Sequence, residues 1–214
     1  MPNVEMEIGS RPPMNALKFW RDQIPTLAER LPEVMRGKFV QAARSMVDGA
    51  ETQEKIYTKK LESGLFMQPA AKTYLGSQLF EETKGIANIT IEGATSSVRA
   101  QLDRWRADAE SVPGMDPAVA IELRTMIRAM PEAERHATIT RSSDPHLASA
   151  ILNAAAKGFG LGLSDSAKKR LLDNYNAAHR PGLMSQIAEA ETFIAAVEQF
   201  RDSVFRALRD ALSR

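Results

Sequence analysis

The chain has no cysteine, which removes disulfides, thiol nucleophiles and thiolate metal ligands together. It has almost no surplus of charge: 28 Lys+Arg stand against 27 Asp+Glu, a net charge of +1. Whole-molecule attraction to nucleic acid or anionic lipid is therefore not implied, and such binding would need a local patch. Long apolar runs are missing as well. The richest, Ala148 to Ala156, falls far short of the roughly 18 residues that a membrane span requires. The first residues, "MPNVEMEIGSRPPMNALKFW", lack a basic stretch followed by an uninterrupted apolar one, so they do not read as a secretory signal, and a cytoplasmic location is expected.

What is present is a 214-residue chain, long enough to bury a real core, with apolar residues at helical spacing along most of its length. Residues 1–13 carry prolines without an apolar period and read as an extended arm. From Met14 a short helix through Leu17, Trp20 and Ile24 is expected to end before Pro25. Pro32 then opens a long helix with Met35, Phe39, Ala42, Met46, Ala50, Tyr57 and Leu61 on one stripe, a polar skip at Gln53, and a stop at Gly64. Pro69 opens a further helix, expected to be short. Residues 86–98 are the ambiguous stretch: Ile89, Thr90 and Ile91 suit a strand, but Ile86, Thr90, Val98, Leu102 and Trp105 continue a helical stripe, and helix is the preferred reading.

Three proline-led segments follow. Asp116-Pro117 and Asp144-Pro145 each place a capping carboxylate before a first-position proline, and Met130-Pro131 starts the helix between them. Val119, Leu123, Ile127 and Met130 are expected to face inward in the first, Leu147, Ile151 and Leu152 in the last. Ser164 caps a helix carrying Leu171, Leu172 and Tyr175. The segment after Pro181 has the cleanest pattern in the chain: Leu183, Ile187, Ala190, Ile194, Val197, Arg201, Val204, Leu208 and Ala211 alternate spacings of four and three, as heptads do. Phe193, Phe200 and Phe205 form a second stripe. Such a pattern suits an intramolecular bundle or a coiled coil between chains, and Arg201 on the seam favours a fixed register between partners. The reading is an all-α chain in four regions: the arm over 1–13, a helical region with a long helix over 14–112, short proline-capped helices over 113–180, and a long heptad helix over 181–214.

Sites of chemistry are harder to find. "KGFGLGLSDSAKKR", Lys157 to Arg170, has glycines at 158, 160 and 162, but it lacks the Gly-Lys-Ser/Thr of a phosphate-binding loop, and a dinucleotide fingerprint would need glycine at Leu163. It reads as a hinge in which Gly158 ends one helix and Phe159, Leu161 and Leu163 fill the joint. His136, His146 and His179 have no metal-ligand spacing, and His179 suits a helix end as a cation. No G-x-S-x-G occurs. The carboxylate pairs Glu81/Glu82 and Glu189/Glu191 read as solvated helix faces, with a glycan hydrolase as their alternative role. Lys157, Lys168, Lys169 and Arg170 form a local basic cluster and support a second alternative, a nucleic-acid-binding module. No catalytic residue, metal or cofactor is assigned.

The segment Ala120 to Gly182 resembles a pattern found in uncharacterised helical proteins encoded near the structural genes of tailed phages and prophages. The likeness rests on arginines either side of Met130-Pro131, on "DPHLASAILNA", on the following "GLS" and on the "H-R-P" at His179 to Pro181. It implies a virion or virion-assembly protein and carries over no catalytic residue. The expected function is thus structural, with helix-mediated contacts to copies of itself and to other virion proteins, first in the host cytoplasm and then in the virion. The interface is expected at Leu183, Ile187, Phe193, Ile194, Val197, Phe200, Val204 and Leu208.

Overall fold

The computed structural model describes residues 16–66, 68–156 and 163–213. The arm, Lys157 and the glycines of the hinge reading lie outside them. The chain is all-α. Eight helices are present among the described residues: α1 (Ala16–Glu29), α2 (Glu33–Glu62), α3 (Pro69–Glu110), α4 (Pro117–Ala129), α5 (Glu132–Arg141), α6 (Pro145–Ala156), α7 (Asp165–His179) and α8 (Pro181–Leu212). None of them is long and apolar enough to cross a membrane. The chain divides into two compact units, one from Met1–Arg99 with Glu191–Arg214 and one from Ala100–Ala190. The four-region reading differs from this division, because most of α8 packs with the N-terminal helices.

In the first unit, α1 packs on α2, and it does not stop where expected. It runs through Pro25 to Glu29. Proline in a helix interior removes one hydrogen bond and costs about 3 kcal/mol. Burying Leu17, Trp20 and Ile24 on one face, at about 1.5–3 kcal/mol for each large side chain, outweighs that cost. Arg21 ties the two helices on the outside, its guanidinium 2.9 and 3.1 Å from the Glu51 carboxylate and also bonded to Asp48. The hydrogen bonds to Glu51 and Asp48 raise the Arg21 pKa above its ordinary value. At the far end of α2, Gly64 adopts φ +73°, the left-handed geometry that closes a helix, and its N–H donates to the Leu61 carbonyl at 3.1 Å.

Helix α3 is one continuous element of 42 residues, about 63 Å long at 1.5 Å per residue. The helix expected to be short and the ambiguous 86–98 stretch are both part of it. Its buried face runs through Leu75, Leu79, Thr83, Ala87, Ile91, Thr95, Val98 and Leu102. Val98 and Leu102 of the expected stripe are buried, but at its start Ile86 is exposed and Ala87 is buried in its place. Thr83 and Thr95 stay inside because each hydroxyl donates to the carbonyl four residues back, Leu79 and Ile91, at 2.8 Å. Arg99 bonds Glu198 of α8 at 2.6 Å. At the other end, α8 comes so close to α3 that a Cβ added at Gly76 would lie 2.8 Å from the Leu212 carbonyl oxygen.

The second unit is built from shorter helices around Ile127, Ile139, Leu147, Ile151, Leu171 and Tyr175. Their starts follow the sequence closely. The Asp116 carboxylate accepts from the N–H groups of Ala118 and Val119 at 2.7 and 3.3 Å. Asp144 does the same for His146 and Leu147 at 2.7 and 3.3 Å, and Ser164 Oγ for Ala167 at 3.3 Å. Proline opens α4, α6 and α8, where its missing N–H leaves no helical bond unmade. Asp116→Ala should remove about 1 kcal/mol and lower the thermal midpoint by about 2–4 °C, followed by circular dichroism. Asp116→Asn should retain most of it, and a midpoint unchanged in the alanine variant would mean that the cap contributes nothing.

Candidate functional site

The expected interface on α8 is, for the most part, the chain's own core. Phe193, Val197, Phe200, Val204 and Leu208 have no exposed surface, and Ile187 is buried. The Phe200 ring meets Trp20 edge-on at 5.9 Å and Phe39 at 5.7 Å. Phe205 meets Phe80 at 5.8 Å. The seam is rotated from the expected one. Phe193 and Phe200 occupy its centre, whereas Leu183, Ile194 and Arg201 are half-buried, because two large aromatic rings bury more area than Ile194 and Arg201 would. A side chain already sealed by its own chain is not available to a second one.

Among the described basic residues, Lys168, Lys169 and Arg170 all lie on α7, but two are neutralised locally. Lys168 bonds Asp165 at 2.9 Å and Lys169 bonds Asp173 at 2.7 Å. The bond from Lys168 also holds the Asp165 carboxyl below its ordinary pKa. Lys157 lies outside the described residues. The carboxylate pairs do not converge either. Glu81 and Glu82 are successive residues of one helix, about 100° apart around its axis, and Glu81 bridges to Lys84 at 3.1 Å. Glu189, which accepts from Ser185 at 3.2 Å, and Glu191 are about 200° apart on α8.

The "H-R-P" stretch ties the second unit together. Arg180 donates to the carbonyls of Asp108, in the last turn of α3, and Ser111, just past its end, at 2.6 and 2.9 Å. Its guanidinium lies 5.1 Å from the Tyr175 ring centroid. His179 Nε2 is 2.7 Å from the Ser143 carbonyl, and Asn176 donates to the Ala109 carbonyl at 2.8 Å. These groups satisfy exposed helix-end carbonyls. No group of three His, Asp or Glu among the described residues is placed to hold a metal ion.

The surfaces that remain apolar and open are elsewhere. On α4, Val119, Ile121 and Met126 are 45%, 58% and 53% exposed. Val119 was expected to face inward, but Ala120 takes that place, and its small side chain lets α4 lie close against α6. Val119 and Met126 are seven residues apart and share one side of α4. On α3, Ile86 and Ile89 are exposed one turn apart. No family model, curated protein or solved structure matches the chain. The surface chemistry is therefore what bears on function.

Proposed function

We propose that this is a non-enzymatic structural protein that acts through helix-mediated contacts with copies of itself, and that it serves in a phage virion or its assembly. The observation that carries the reading is the side of α4 on which Val119 and Met126, two turns apart, stand in solvent on a 13-residue helix. Covering the exposed half of each such side chain is worth about 1 kcal/mol, so one helix supplies the apolar centre of an interface. A net charge of +1 leaves little repulsion between copies. The virion assignment rests on the likeness of Ala120 to Gly182 to proteins encoded beside phage structural genes, and it would place the chain in the host cytoplasm before packaging into the particle.

The experiment is the solution mass by light scattering, over a range of concentrations, for the wild type and for a Val119→Lys, Met126→Lys double variant. The wild type should form a defined oligomer. The variant should keep its helical circular dichroism and fall to a single chain. A wild type that stays single throughout, or a variant that keeps the wild-type mass, would overturn self-association through α4.

A further inference from the structure

The first unit contains a cleft of about 510 Å³ where the start of α3, the end of α8 and Tyr57 of α2 come together. We propose that this cleft binds a small organic anion, with its carboxylate or phosphate held by Lys72, Arg209 and the Tyr57 hydroxyl and its apolar body lying against Phe80. The volume is that of a small-molecule site, about 300–1,000 Å³.

Tyr57 carries the argument. Its side chain is only 5% exposed, it lines the cleft, and its hydroxyl makes no hydrogen bond among the described residues. A donor held in place by a buried ring and left without a partner is a ready contact for a ligand oxygen. One turn back on the same face of α2, Gln53 Oε1 is buried and also unpartnered.

Two cations line the same cleft, and neither is answered by a carboxylate of the described chain. The Arg209 guanidinium lies 4.9 Å from the Phe80 ring centroid. This cation–π contact holds the guanidinium at the cleft wall, within reach of an oxyanion there. Lys72 is in the first turn of α3, where the free N–H groups of a long helix add partial positive charge. The acid on this wall, Glu81, is engaged by Lys84. The last carbonyls of α8 bring partial negative charge to the opposite wall, and Arg209 in the last turn of that helix offsets it.

The test is calorimetric titration of the full chain with three probes: phenyl phosphate, inorganic phosphate and benzyl alcohol. Phenyl phosphate should bind saturably at concentrations up to about 10 mM and about tenfold more tightly than either of the others. Tyr57→Phe, which keeps the ring, and Arg209→Gln should each weaken it about tenfold with unchanged circular dichroism. Lys72→Gln gives the same readout should either of those variants fail to fold. Absence of saturable phenyl phosphate binding, equal binding by all the folded variants, or benzyl alcohol binding as tightly would each overturn the proposal.

Discussion

Phe200→Ala should remove about 3–5 kcal/mol of stability without lowering the solution mass of the chain. The ring has no exposed surface and lies between Trp20 and Phe39, so truncation forfeits its transfer energy, two edge-to-face contacts and the packing around the resulting void. Since small domains are stable by about 5–15 kcal/mol in total, the urea midpoint should fall steeply. An interchain seam behaves in the opposite way, with dissociation and little loss of stability in the separated chain. If the variant dissociates at an unchanged midpoint, the heptad helix serves a partner and the packing described for α8 is wrong.

Gly76→Ala should destabilise by about 1–3 kcal/mol, although alanine is the better helix former by about 1 kcal/mol. The reason is steric: the new Cβ would meet the Leu212 carbonyl oxygen at 2.8 Å, and that oxygen belongs to backbone, so α8 itself would have to move. Gly85 and Gly93 lie on the same helix with nothing within 4 Å of an added Cβ. Alanine there should stabilise by up to about 1 kcal/mol. Opposite signs along one helix, read from thermal or urea midpoints, would locate the close approach of α3 and α8. A Gly76→Ala variant as stable as Gly93→Ala would remove it.

The helix starts were legible because their causes are local. Asp116, Asp144 and Ser164 bond to N–H groups two or three residues away, and the proline that follows each aspartate fixes the geometry before any tertiary contact forms. The departures arise where packing over long sequence separations overrides local preference. Pro25 remains helical because Ile24 before it and Ala28 after it are both buried on the face that packs on α2. The Ile89–Ile91 stretch is helical, despite three β-branched residues in a row, because Ala87, Ile91 and Thr95 share the buried face. On α8 the period was right but the rotation was not, since periodicity does not say which of two adjacent stripes a neighbour will cover. The open surface of α4 was hidden for the same reason, with Val119 and Ala120 competing for one inward position. The cleft had no signal in the sequence, because Tyr57, Lys72 and Arg209 come from three helices and meet only when these pack.

The two compact units also differ in when they can form on the ribosome. All of Ala100–Ala190 is contiguous, so that unit has its whole chain once residue 190 has emerged, whereas the other must wait for Glu191–Arg214. Trp20 and Phe39 are made early, yet the ring that packs against both of them, Phe200, is more than 150 residues behind. At synthesis rates of about 5–20 residues per second that interval lasts many seconds. Through it the faces of Trp20 and Phe39 that Phe200 covers in the finished fold stay open, and such exposed apolar surface favours aggregation.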